Sequence, residues 1–146
     1  MANVVPYAFP VELLSATHNF ASNTFKLALY TASPYTTAST VYDATSETTG
    51  TEYSAGGNTL TGNAVSNVAN YATVDFTDSV WGSPTPATFS AAYGAIYNSS
   101  ASNKLVVILD FGGTKSCSNG TFTVTFPSPT SGSPSGADAL LSIKSN

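Results

Sequence analysis

The chain holds few residues able to do acid–base, nucleophilic or metal chemistry. Among 146 residues there are one His, one Cys, eight acids and four cations. His18 is the only imidazole, so a hydrolytic triad of nucleophile, His and orienting acid would have to pass through it. It falls where a predicted helix ends, and the plainer role there is to satisfy the last helical carbonyls. Cys117, in Lys115-Ser116-Cys117-Ser118-Asn119, reads as an incidental loop thiol with Lys115 as its nearby cation. Asp75 and Asp78 near Trp81 have the makings of a sugar-hydrolase carboxylate pair. Yet Asp75 alternates outward on its predicted strand, and Asp78-Ser79 opens a turn. Asp43, Glu47 and Glu52 offer hard oxygen ligands suited to calcium, at a spacing that fits no known binding loop. Asp110-Phe111-Gly112-Gly113 has the letters of the kinase magnesium motif, but no phosphate-binding loop and no Arg accompany it. Asn98-Ser99-Ser100 and Asn119-Gly120-Thr121 fit the glycan sequon, as a Ser/Thr-rich chain does by chance. The expectation is a non-enzyme with no catalytic residue, no metal ligand and no cofactor.

Composition narrows the partners. Charged residues make up 8% of the chain, against a usual value of about 25%. Ser and Thr together number 42 and supply most of the polar surface. With no Arg and only Lys26, Lys104, Lys115 and Lys144, there is no electrostatic footprint for nucleic acid. No apolar run reaches the roughly 18 residues a membrane helix needs, so no membrane partner is expected. Met1-Ala2-Asn3-Val4-Val5-Pro6 lacks the basic and apolar segments of a secretory signal. A single Cys permits no internal disulfide, and Cys117 with His18 cannot make a zinc site.

The elements that must position these residues are mostly strands. Residues 24–31 alternate, with Phe25, Leu27 and Leu29 on one face and Lys26, Ala28 and Tyr30 on the other, which predicts a half-buried strand. Residues 71–77 alternate again, with Ala72, Val74 and Phe76 facing one way. Residues 88–97 place Phe89, Ala91, Tyr93, Ala95 and Tyr97 on one side and Ser90, Ala92, Gly94 and Ile96 on the other. Those small residues suggest a face closely approached by another layer. The run 105–109 is apolar throughout and predicts a central strand buried on both faces, ending at Asp110 with a Gly112-Gly113 turn. Residues 121–126 put Phe122, Val124 and Phe126 in and three Thr out, after the Asn119-Gly120 turn signal. Residues 139–144 form a weaker last strand, and 58–68 hold one or two short ones. One helix is expected near 10–18, with Pro10 at its first position and Glu12 in its first turn. The stretch 33–50 is either a functional surface loop or carries a strand near 38–42, and 127–136 is a Pro/Ser/Gly linker. These elements predict an all-β fold, a jelly-roll-like antiparallel β-sandwich with one short N-terminal helix, an immunoglobulin-like sandwich being the alternative. Residues 1–9 form an extended arm and 10–146 one domain.

The aromatic load is high for so few charges: eight Tyr, eight Phe and one Trp. Phe25, Phe76, Phe122 and Phe126 are core. Interfaces favour amphipathic aromatics, so Val5, Pro6, Tyr7, Phe9, Tyr35, Tyr42 and Tyr53 are the candidate interface residues. The ordered series Leu13-Leu14, His18-Asn19-Phe20, Thr24-Phe25-Lys26-Leu27-Ala28-Leu29-Tyr30-Thr31, Glu52-Tyr53-Ser54-Ala55-Gly56-Gly57, Val74-Asp75-Phe76 and Trp81 opens a resemblance. Ile96-Tyr97, Asp110-Phe111-Gly112-Gly113, Gly120-Thr121-Phe122-Thr123-Val124-Thr125-Phe126-Pro127 and Leu140-Leu141 complete it. This series resembles a family of small virion structural proteins of tailed phages. The resemblance implies a capsid cement, or decoration, protein on the outside of the head, made in the host cytoplasm. Its implied partners are the major capsid protein and further copies of itself, as a dimer or trimer. A tail- or fibre-associated structural protein is the second reading. A carbohydrate-binding β-sandwich, with Trp81, Tyr93 and Tyr97 as its stacking platform, is the third.

Overall fold

A computed structural model describes residues 3–68, 70–127 and 140–144. The fold is all-β and sandwich-like, with antiparallel strands and one short helix, α1 (Ala8–Leu14). The strands are β1 (Phe25–Tyr30), β2 (Asn58–Thr59), β3 (Ala64–Val68), β4 (Tyr71–Asp75), β5 (Ser79–Trp81), β6 (Ala87–Asn98), β7 (Lys104–Gly120), β8 (Phe122–Val124) and β9 (Leu141–Lys144). They pair as β2-β1-β6-β7, β3-β4-β9 and β5-β8. Most of the linker predicted at 127–136, and residue 139 of the predicted last strand, lie outside the described residues.

The main core forms where one face of the four-stranded sheet meets the smaller sheets. Phe25, Leu27, Leu29, Phe89, Ile96, Val107 and Leu109 come from the large sheet; Trp81, Phe122, Val124 and Phe126 come from β5, β8 and the segment after β8. Phe20 and Phe25 stack at 4.6 Å and 6°, and Phe25, Phe76 and Phe126 continue the aromatic row. Pairs of this kind add roughly 0.5–1.5 kcal/mol each beyond their buried area. In β8 the expected alternation is present: Phe122 and Val124 are buried and Thr121, Thr123 and Thr125 exposed.

Four expectations fail for identifiable reasons. First, β1 is not half-buried, because Ala28 and Tyr30 belong to a second core with Tyr35, Ala95, Tyr97, Leu105 and Ile108. Residues 33–57 form a strap whose first part, with Tyr35 and Tyr42, lies over that face and whose later Tyr53 packs on the main core; isolated bridges from Glu47 to Tyr30, Val41 to Lys104 and Thr51 to Thr88 hold it. Second, the face of β6 changes partway: Phe89, Ala91 and Ile96 enter the main core, whereas Ala95 and Tyr97 enter the second. The pairing with β7 shifts between Ala91 and Tyr93, opposite Lys115 and Asp110. Residues 111–114 are the extra length, and both Gly112 (φ 69°) and Gly113 (φ 126°) take left-handed backbone there. The Gly-Gly pair therefore bulges a continuing strand rather than ending it. Third, residues 105–109 are buried but not central, since β7 is an edge strand. Val4 covers that edge, exchanging two 2.8 Å backbone bonds with Ile108, and Leu105 N–H donates to the Thr40 carbonyl. Fourth, β4 keeps Val74 and Phe76 toward the main core as expected but exposes Ala72 and buries Thr73, whose hydroxyl bonds that of Ser66 at 2.8 Å across the β3–β4 pair. Small side chains on β6 do permit close approach: a Cβ on Gly94 would lie 3.1 Å from Leu27 Cδ1 and 3.2 Å from Phe111 Cζ.

The helix begins and ends earlier than its sequence suggests. Pro10 is its third residue, still within the turn whose N–H groups have no helical acceptor. Ala16 adopts φ 58°, and Thr17 N–H donates to the Glu12 carbonyl while Ala16 N–H donates to that of Leu13. This is a Schellman termination with Ala in the place usually held by Gly.

Candidate functional site

Most described residues with chemical potential are used inside the fold. His18 is buried, beyond the end of α1 rather than capping it. The carbonyls it was expected to satisfy are taken by the N–H groups of Ser15, Ala16 and Thr17. Its ring lies 5.1 Å from that of Phe9, its Nδ1 is 3.3 Å from Asn98 Nδ2, and its Nε2 is 3.1 Å from Glu12 Oε2. Asn98 Oδ1 accepts from Ser100 N–H, which sets the amide so that Nδ2 is the donor. His18 Nδ1 thus accepts, and the ring proton is on Nε2, donated to Glu12. Glu12 Oε1 receives Lys104 Nζ. Burial raises the Glu12 pKa, and the bonds from Lys104 and His18 outweigh it, so the carboxyl is held below its ordinary value. The cluster has an acid and an imidazole but no hydroxyl or thiol bonded to either ring nitrogen. Its effect is to lock α1 against the end of the β6–β7 ladder. Asn98, the first sequon residue, is fully buried in it.

Glu47 anchors the strap. Its Oε2 accepts from Tyr42 OH at 2.5 Å, and its Oε1 accepts from Tyr53 OH and Gly56 N–H, both at 2.7 Å. Tyr53 OH also accepts from Leu29 N–H at 2.8 Å, tying the strap to β1. Beside it the Tyr30 and Tyr35 hydroxyls share a 2.6 Å bond, one donating to the other, and the Asp43 carbonyl, 2.9 and 3.2 Å from them, accepts the remaining proton. Burial pushes the Tyr97 hydroxyl up to about 12, and those of Tyr30, Tyr42 and Tyr53 higher still. Asp43, Glu47 and Glu52 are not gathered: Asp43 Oδ1 accepts from Thr45 N–H and Glu52 is exposed. No group of three His, Cys, Asp or Glu side chains converges among the described residues. This hub was missed in the sequence. Its signal was one acid flanked by Tyr42, Tyr53 and Gly56-Gly57 in a chain with few acids to spare.

The remaining candidates are likewise absorbed. Asp78 Oδ1 accepts from Phe126 N–H at 2.9 Å, and Asp75 Oδ1 accepts from Phe76 N–H. Cys117 is not a loop thiol: it is buried in β7, with Sγ 3.7 Å from the Phe89 carbonyl. Trp81 and Tyr97 are buried, so neither presents a stacking face for a sugar.

The predicted interface residues divide sharply. Pro6 is buried, Phe9 and Tyr35 are buried in the chain's own cores, and Tyr42 and Tyr53 are half-buried around Glu47. Residues 3–5 lie along the β7 edge rather than extending freely, and Tyr7 N–H donates to the Thr37 carbonyl. Val5 and Tyr7 are the members left exposed, at 40% and 73%. Tyr7 begins a stripe that the sequence did not single out: Val11 is 65% and Leu14 90% exposed. Spacings of four and three residues put these three on one side of α1. Phe9 and Leu13 hold the other side to the core. Glu12, the only charged residue of α1, is turned inward to His18 and Lys104. The outer face of α1 is therefore apolar and uncharged, the chemistry of a surface that loses water against a partner. No helix among the described residues is long and apolar enough to cross a membrane. Comparison with family models, with curated proteins and with solved structures finds no match to this chain.

Proposed function

We propose that the chain is a non-enzymatic virion structural protein of a tailed phage. In this reading it is a cement protein that binds the outer surface of the head and clamps neighbouring major capsid subunits. The observation that carries the reading is the exposed stripe Tyr7, Val11 and Leu14, whose neighbouring charge is neutralised inside the fold. The ordered series of motifs from Leu13-Leu14 to Leu140-Leu141 supports it. So does the absorption of His18, Cys117, Glu12, Glu47, Asp75 and Asp78 into structural contacts.

Energetically the role is modest for each copy. Burying three apolar side chains of this size against a shell yields on the order of 4 kcal/mol. One such contact does not overcome the entropy of association. A unit bridging two or three subunits gains from effective concentration, and binding only the assembled lattice stabilises it by linkage.

The test uses purified shells lacking this chain, mixed with the full-length protein. Wild type co-sediments with shells, and the triple variant Tyr7→Ser, Val11→Ser, Leu14→Ser loses about tenfold or more in affinity while its melting temperature is unchanged. Equal binding by the triple variant removes the stripe from the account. No binding by wild type removes the cement reading.

A further inference from the structure

We infer that Asn119-Gly120 is a self-modification site, where the folded chain turns the Asn119 amide into a carboxylate without an enzyme. Two asparagines open glycan sequons, and the fold treats them oppositely. Asn98 is fully buried, with its amide bonded to His18, Asn23 and Ser100. Asn119 is exposed, and its side-chain amide has no hydrogen bond among the described residues. Its backbone is held instead, with its N–H donated to Thr88 Oγ1 at 2.9 Å. Ala87 pairs with Gly120 and Phe89 with Cys117, so Thr88 alone stands opposite Ser118 and Asn119. Asn119 lies in that bulge with φ 51°, where the ladder is interrupted.

The chemistry comes from the next residue. The Gly120 backbone nitrogen attacks the side-chain carbonyl carbon, Cγ, of Asn119. The new N–C bond closes a succinimide ring, the Cγ–Nδ2 bond breaks, and the amide nitrogen leaves as ammonia with the proton that Gly120 sheds. Water then opens the ring at either carbonyl. One opening gives aspartate; the other gives isoaspartate, in which the main chain runs through the former side chain. Water is consumed, ammonia is released, and nothing is oxidised or reduced. Attack within one chain gains from enforced proximity. Glycine permits it because no Cβ shields its nitrogen, and no other asparagine in the chain precedes a glycine. The two products differ in effect. Gly82 packs so close to this corner that a Cβ there would lie 2.3 Å from the Gly120 carbonyl oxygen. Isoaspartate lengthens the main chain just before that carbonyl and displaces it. Aspartate only adds negative charge to a chain already at −4. This site is separate from the α1 stripe and does not rest on the cement reading.

The test holds the full-length folded protein at mildly alkaline pH for weeks, in water labelled with heavy oxygen, beside a sample unfolded in urea. Digestion and mass spectrometry locate each amide converted to acid. The site predicts conversion of Asn119 in the folded protein ahead of every other asparagine, giving both products with the label incorporated. The rate rises with pH, because the attacking nitrogen must lose its proton. Gly120→Ala slows conversion about tenfold or more. That variant keeps the fold, since Gly120 has no left-handed backbone and a Cβ there meets nothing nearer than the Ser118 carbonyl oxygen at 3.8 Å. The isoaspartate form, separated by ion exchange, melts below Asn119→Asp. Conversion in urea but not in the folded protein would overturn the site, since the bulge would then protect the amide. Conversion first at another asparagine, or indifference to Gly120→Ala, would overturn it equally.

Discussion

Glu47 and Glu12 are the two side chains on which distant parts of the chain converge. Glu47→Ala strands two tyrosine hydroxyls and the Gly56 N–H. It is expected to cost about 2–3 kcal/mol in chemical denaturation, and Glu47→Gln, which keeps one acceptor, less. The tyrosines around it set the alkaline limit. Tyr97 is raised to about 12 from an ordinary 10.0. A raised folded pKa gives stability that is complete below the unfolded value and lost as pH rises through the folded one. Unfolding free energy should thus hold level to about pH 9 and fall above about 10, with the tyrosinate absorbance of these buried rings appearing together with unfolding. Glu12 works in the opposite sense. Its folded pKa is lowered from 4.5, so its contribution is complete above that value and fades as acid takes the pH through the folded one. Glu12→Gln should flatten the acid limb of the melting-temperature profile; an unchanged limb would mean that the Lys104 and His18 bonds carry no stability.

Two tests address the elements directly. Ala16 holds a left-handed conformation at the end of α1, so Ala16→Gly should stabilise by about 0.5–1 kcal/mol. Gly57 is the reverse case. At φ 69°, a Cβ there would meet the Leu27 carbonyl oxygen at 1.8 Å. Gly57→Ala should therefore cost about 2 kcal/mol or more, seen as a lowered melting temperature. These elements also show which parts of the fold are legible in sequence. β8 reads correctly because Phe122, Val124 and Phe126 face one core and nothing covers the three Thr. β1 misreads because what lies over Ala28 and Tyr30 is a strap from residues 33–57, and alternation within β1 carries no trace of it. β6 misreads because one bulge opposite residues 111–114 exchanges the faces, and parity arguments assume an unbroken ladder. The α1 stripe is legible only in part: of its three residues the sequence singles out Tyr7, as an aromatic of the arm. Val11 and Leu14 are not legible as exposed residues, because only the position of Phe9 and Leu13 on the core decides which side faces out.

At the scale of the molecule, the exposed apolar side chains among the described residues are the α1 stripe and scattered positions, Val65, Val80 and Ile143 among them. A cement role uses the first, and the fold tolerates losing it, since the stripe residues are exposed. The proposed cement role would put the chain on the head of a phage particle, in numbers set by the shell lattice. Quantitative mass spectrometry of purified particles, comparing this chain with the major shell protein, tests that assignment most directly. A cement role predicts a ratio of order one to one or a simple lattice fraction of it. Absence of the chain from particles, or a few copies in each, would contradict it.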